Sequence, residues 1–338
     1  MATGIIAIAA YRLAMPGLAW ALLALAVLAY IVLWALMLLR LLWFLPQVLA
    51  DMANHARGPG FFTVVAATCV LGSALAIIAG MFQVARALWA LGIALWLLVM
   101  YSFFTIATVR EQKPTLGSGI NGAWLIAAVA TQSIAVLGTL VAPRLAAGRE
   151  VGLFFALCMY LLGCMLYLSI ITLILYRLTF VPVTSAELTP PYWINMGAVA
   201  ITTLAGANLI LAAPHWPFLA EILPFLKGFT LFFWSAGTWW IPLLLILGIW
   251  RHLVKRYPLT YEPSYWGMVF PLGMYTTSTF QFAQALQLDF LLLIPRVFIW
   301  IALAVWLITF VGLLRQIARG SRLARGAARP DRPGDERL

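Results

Sequence analysis

Within the apolar segments of this 338-residue chain, polar side chains are densest in one stretch. Thr276, Thr277, Ser278 and Thr279 follow one another soon after Pro271 and Gly273, and Gln281 and Gln284 complete the run. Hydroxyls and amides carry no charge near neutrality, so they suit the passage of a solute better than its transformation. A nucleophile needs a base beside it. The patterns that supply one, GxSxG, HExxH and the P-loop, do not occur. Asp51, Glu111, Glu150, Glu187, Glu221, Glu262 and Asp289 all fall at the ends of apolar segments or between them, as do His55, His215 and His252. A proton-driven carrier commonly keeps a carboxylate or His within the membrane as its relay. What remains is a neutral, hydroxyl-bearing interior with cations near its ends, a lining that passes anions without trapping them. An enzyme is not expected, and no cofactor or metal is implied.

The elements that position these groups follow from composition. The chain is 64% hydrophobic and 9% charged, with a mean hydropathy of +1.01. A soluble domain has roughly 45–50% apolar and about 25% charged residues. The chain therefore reads as an all-α polytopic membrane protein, with the lipid bilayer as its main solvent. Cys69, Cys158 and Cys164 lie inside apolar runs and read as buried thiols, not a disulfide framework. The net charge of +11 does not indicate nucleic acid. Seven of 21 Lys/Arg sit at and after Arg315, and most of the others flank apolar segments, as membrane anchors do.

A spanning helix needs about 20 mostly apolar residues. By that rule ten segments are expected, near 1–13, 18–44, 61–80, 86–109, 123–142, 151–176, 193–213, 224–250, 264–286 and 290–314. Proline- and glycine-rich loops separate them. The first segment is too short to span alone, and its expected reading is a helix truncated at an internal start codon. Residues 1–315 then form the transmembrane domain, and 316–338 a basic, disordered tail. Counting Lys/Arg by side places 15 with the two termini and 6 opposite, which predicts cytoplasmic termini in a bacterial-type inner membrane.

Segments 3, 5, 7 and 9 begin about 60–70 residues apart, and two of the starts look alike. Tyr192-Trp193 precedes Thr202-Thr203, and Tyr265-Trp266 precedes Thr276-Thr277. Internal repeats are common in transport folds. These four segments hold 18 Ser, Thr, Asn and Gln residues, against 9 in the five longer even segments. Polar side chains in a bilayer seek partners or water. The odd segments should therefore line an interior, while the Leu- and Trp-rich even ones face lipid. Thr63, Thr131, Thr203 and Thr277 are the candidate lining residues. The competing reading is that such hydroxyls bond back to their own helix. Arg86, Arg296 and Lys227 could attract anions to the mouths, but headgroup anchoring and snorkelling are the commoner reasons for such residues.

Pro271 should kink the ninth segment, because it removes one backbone bond and crowds the preceding turn. Packing alone reads Phe270 as core. The stretch Trp266 to Thr279, however, resembles the ninth-helix motif of the tellurite-resistance/C4-dicarboxylate transporter family, which includes plant guard-cell slow anion channels and the yeast malate permease. Pro190 to Ala198 resembles the seventh helix of bacterial members, Met1 to Ile5 a first-helix motif, and His55 with Gly60-Phe61-Phe62 the entrance to the third helix. The resemblance covers about residues 1–315. It implies ten helices in five hairpins, with inner odd and outer even helices around a central pore, and a homotrimer. It also implies that Phe270 is a pore gate and Pro271 the bend that carries it. Segments 3, 5 and 7 lack a proline in mid-segment, so their bends would rest on Gly72, Gly138, Gly197 or Gly206. The function expected is an anion channel-like permease for small inorganic or organic anions. The alternative is a proton-coupled transporter or exporter of C4-dicarboxylates, sulfite or tellurite.

Overall fold

The computed structural model describes residues 1–327, with side chains through Arg319, and within them the chain is helical and contains no strand. Ten main helices coincide with the ten expected segments: α1 (Ala2–Arg12), α2 (Pro16–Trp43), α3 (Phe62–Ile78), α4 (Phe82–Val109), α5 (Ile126–Val141), α6 (Arg149–Phe180), α7 (Ile194–Ala212), α8 (Leu223–Ile249), α9 (Trp266–Leu286) and α10 (Leu293–Ala327). Eight of them, among the described residues, are long and apolar enough to cross a membrane. The other two fall short for different reasons. α1 has 11 residues, and α9, at 21 residues, carries the hydroxyl run that lowers its hydropathy. α10 continues through 316–327, the first part of the expected tail; 328–338 lie outside the described residues.

The starts of the odd helices share a device. Single 3₁₀ turns at Gly58–Phe61, Gly122–Leu125, Pro190–Trp193 and Pro263–Tyr265 lead into α3, α5, α7 and α9. Proline near the first position of three of these turns sets φ for the helix and gives up an amide that has no partner there anyway. At the fourth, Asn121 accepts the Ala123 amide at 2.8 Å. The turn extends the likeness first visible in the two Tyr-Trp pairs.

Packing sorts the helices into two shells. α1, α3, α5, α7 and α9 form a closed ring, each against the next and α9 against α1. α2, α4, α6, α8 and α10 pack outside the ring, each against the inner helix that precedes it in sequence. In the most apolar stretch of α5 and of α7, 94% of residues are buried, against 17% in α2 and in α10. The segregation of polar residues thus coincides with the inner shell. The outer tryptophans do not all face outward, as the Leu- and Trp-rich composition suggests. Trp89 and Trp96 of α4 donate to Ile134 O and Thr131 Oγ1, Trp234 of α8 to Thr279 Oγ1, and Trp306 of α10 to Thr3 Oγ1. An indole has one donor, and within apolar surroundings it bonds to the inner helix rather than leave that donor unsatisfied.

Close approach among inner helices depends on small residues, as is common for helices in lipid. A β-carbon at Gly197 would lie 2.7 Å from Cγ of Pro271, so α7 and α9 touch with the pyrrolidine ring seated against bare backbone. One at Gly273 would lie 2.7 Å from Ile6 Cγ1, which brings α9 equally near α1. A proline ring cannot rotate away. Gly197→Ala is therefore expected to push α9 from α7 and to cost about 1–3 kcal/mol of stability. A lowered thermal midpoint of the detergent-solubilised protein would show it, and an unchanged midpoint would mean the contact is slack.

Candidate functional site

The five inner helices enclose a cavity, and each contributes the same spacing to its wall. Ile5, Ile8 and Arg12 come from α1; Val70, Ser73 and Ile77 from α3; Ser133, Val136 and Leu140 from α5. Ile201, Leu204 and Asn208 come from α7, and Met274, Thr277 and Gln281 from α9. Every helix presents i, i+3 and i+7, one face of a helix followed for two turns. Each stripe runs from near the middle of its helix toward the C-terminal end, and the five helices run parallel around the cavity. It is narrow: about 20 Å³ is open to the centre of a water molecule, little more than one water requires.

The three tiers differ in chemistry. The deepest, Ile5, Val70, Ser133, Ile201 and Met274, is almost wholly apolar, and the middle tier adds Ser73 and Thr277. The outermost holds Arg12, Asn208 and Gln281 beside Ile77 and Leu140. Arg12 is the one charged side chain on the wall. Phe270 stands one turn before Met274 on the same face of α9, at 1% exposure, and is not itself among the residues of the cavity wall. Pro271 follows it, and α9 stays helical through the proline.

The four candidate threonines occupy different places. Thr277 lines the cavity, and its hydroxyl donates to Gly273 O at 3.0 Å and Ile5 O at 3.4 Å. Thr63 lies two turns before Val70 on the same stripe of α3, half-buried, on the far side of the Phe270 level. Thr131 and Thr203 do not lie on the cavity wall. Thr131 is fully buried towards the outer shell, where it accepts the Trp96 indole at 2.8 Å and donates to Ala127 O. Thr203 is fully buried and donates to Val199 O. A period of 3.6 puts both off the face defined by 133 and 136 or by 201 and 204. Arg12, Asn208 and Gln281 are the groups that sequence reasoning passed over. The signal was present as the i+4 step from Thr277 to Gln281, repeated at Leu204 and Asn208.

Most inner hydroxyls have already given up their protons. Ser73, Ser133, Thr139, Thr202, Thr276 and Ser278, like Thr131 and Thr203, donate to carbonyls three or four residues back. The local-bonding reading of each hydroxyl therefore holds, within a set that is nonetheless confined to the inner shell.

The end of the ring that carries the helix N-termini is braced by arginines. Arg177, 4% exposed, donates to Gly117 O at 2.7 Å and to Tyr192 Oη, and lies 3.4 Å from Glu187. Arg251 donates to Leu188 O beneath the Tyr257 ring. Glu187 accepts the amide and hydroxyl of Thr184, and these bonds, with the nearby Arg177, hold its carboxyl below the usual range. These cations fasten the loop before α7 and are committed to it.

The sequence pattern of the SLAC1 family, described as voltage-dependent anion channel, matches residues 1–314. An uncharacterized membrane protein of Mycobacterium tuberculosis (strain ATCC 25618 / H37Rv) is 42% identical over 153 residues, 45% of this chain and 77% of that protein. An uncharacterized transporter of Methanocaldococcus jannaschii is 24% identical over 299 residues, 87% of this chain and 84% of its own length. A second transporter from that organism is 25% identical over 288 residues, 83% and 79% of the two chains.

The two buried threonines should respond differently to removal of the hydroxyl. Thr131→Val strands the Trp96 indole and is expected to cost about 1–3 kcal/mol, whereas Thr203→Val loses only a bond within its own helix and should cost less. Thermal unfolding of the two variants side by side measures the gap, and equal midpoints would refute the role given to Trp96.

Proposed function

The chain belongs to the SLAC1 family of voltage-dependent anion channels, and from that premise we propose that it is a channel-like permease for small anions, occluded by Phe270. All ten helices cross the membrane as five hairpins in this reading, with α1 completing the inner ring, and the termini lie in the cytoplasm of a bacterial-type inner membrane. The assembly is a homotrimer and the permeant species are small inorganic or organic anions, among which C4-dicarboxylates, sulfite and tellurite are candidates.

One observation carries the proposal. The cavity between five parallel helices has its deepest tier at Met274, one helical turn beyond Phe270 on α9. That turn of α9 is packed through Pro271 against Gly197 on one side and through Gly273 against α1 on the other. Conduction then requires the phenyl ring to turn aside or the two helices to part. The wall holds no carboxylate or imidazole to relay a proton, which favours a channel over a coupled carrier.

Phe270→Ala removes the ring and is expected to raise anion current through planar bilayers, about tenfold if the barrier falls by about 1.4 kcal/mol. Chloride, nitrate, sulfite and malate presented in turn would rank the permeant species. An unchanged current would remove Phe270 as the gate, and uptake that collapses with the proton gradient would establish a coupled carrier instead.

A further inference from the structure

A permeating anion needs hydrogen-bond donors or positive charge to replace its water. In the cavity, Ser73, Ser133 and Thr277 offer neither, because each donates its proton to a backbone carbonyl. They present methyl groups, methylenes and lone pairs instead. Donors remain in one tier. Arg12, Asn208 and Gln281 line the outermost ring of the wall, on α1, α7 and α9, and none of the three side chains makes a hydrogen bond to a described residue. No carboxylate among the described residues pairs with Arg12, whose position is half-buried. A guanidinium withdrawn from water without an acid beside it is unfavourable unless an anion joins it. Asn208 and Gln281 are 7% and 8% exposed, so their amides open on the cavity and not on bulk solvent.

We propose that Arg12, Asn208 and Gln281 form an anion-binding and selectivity station, separated from Phe270 by about three turns of helix. It rests on the reading of the cavity as an anion path and assigns to that path the place where charge is selected. The ligand is a small monovalent or divalent oxyanion or halide taken from solution. Arg12 supplies the charge and a planar fork of donors. The two amides supply neutral donors that complete the shell without a second fixed charge, so the ion is held but can leave.

Arg12 has a second neighbourhood, which the test must separate from the first. It also borders a groove on the outside of the ring with Arg296, Phe280, Ile299 and Trp300. A lipid phosphate bridging the two arginines would use the same guanidinium for anchoring.

The test uses the full-length protein with chloride or nitrate as the probe against gluconate at constant ionic strength. Wild type should be stabilised by the probe anion. Arg12→Gln should lose the effect and weaken apparent affinity on the order of tenfold. Arg12→Lys should restore part of it, and Arg296→Gln should leave it intact. In a Phe270→Ala background, Arg12→Gln should also lower the chloride-to-potassium permeability ratio read from the reversal potential. Asn208→Leu and Gln281→Leu give the same two readouts if the Arg12 variant does not fold. The proposal is overturned if wild type ignores the probe anion, or if Arg12→Gln or both Leu variants bind it as wild type does. Equal loss in Arg12→Gln and Arg296→Gln overturns it too, in favour of a headgroup phosphate in the outer groove. A silent Phe270→Ala channel with intact, Arg12-dependent binding would instead count against the gate and leave the station standing.

Discussion

The fold depends on a contact between a ring and a missing side chain. Pro271 lies against Gly197, where a β-carbon would stand 2.7 Å from the pyrrolidine Cγ. Neither partner can adjust: the proline ring is closed, and the glycine has nothing to move. The contact fixes how near α7 and α9 come, and Gly273 against Ile6 does the same for α9 and α1. Between the two, α9 is clamped along the turn that carries Phe270. Helices in lipid gain nothing from apolar burial against one another, because the lipid tails are equally apolar. Surface fit at such points must then supply the association. The outer shell adds directional bonds to it, through indoles that reach inward to Thr3, Thr131, Ile134 O and Thr279.

Much of this was legible in the sequence because a bilayer is a severe solvent. A spanning segment must be apolar and helical, so the chain divides visibly into apolar segments. The ten read from it are all helices, and eight of these, among the described residues, are long and apolar enough to cross. The inner shell was legible too, since lipid rejects unpartnered polar groups and Asn, Gln, Ser and Thr collect in alternate segments. The wall of the cavity was not. Counting hydroxyls selects Thr131 and Thr203, yet they lie off the stripes at 133 and 136 and at 201 and 204. A helix buried on all sides has no polar face to betray its orientation. Only the register between helices reveals which of its residues meet in the middle, and register is a property of the packed molecule. Once seen, the repeat is simple: Ile5, Val70, Ser133, Ile201 and Met274 begin five identical i, i+3, i+7 stripes.

Back-bonding of the hydroxyls changes what a neutral lining means. A Ser or Thr in a helix satisfies its proton locally, at the carbonyl one turn back. The lone pairs and methyl groups it leaves toward the cavity are indifferent or mildly unfavourable to an anion. Such a lining lets an ion pass by not holding it, and it can select for charge only where donors are free. The segregation of polar residues therefore serves two ends. The hydroxyls keep the inner helices narrow and satisfied, while the amides and the guanidinium at the outer tier remain available.

The parallel course of the inner helices adds a direction to the cavity. Five helices point their C-terminal ends toward its outermost tier, and each such end carries roughly half a negative charge from its unpaired carbonyls. Their five N-termini gather at the opposite end, on the side where the chain begins. The summed field favours an anion at the N-terminal mouth and disfavours it at the C-terminal one. Arg12 stands in the last turn of α1, at the disfavoured end, and is the one charge on the cavity wall. A cation at a helix C-terminus is itself stabilised by that dipole. The same residue thus offsets the field of the ring and is held in place by it. Without Arg12, no charge on the wall would oppose the field of the five helix ends at this tier.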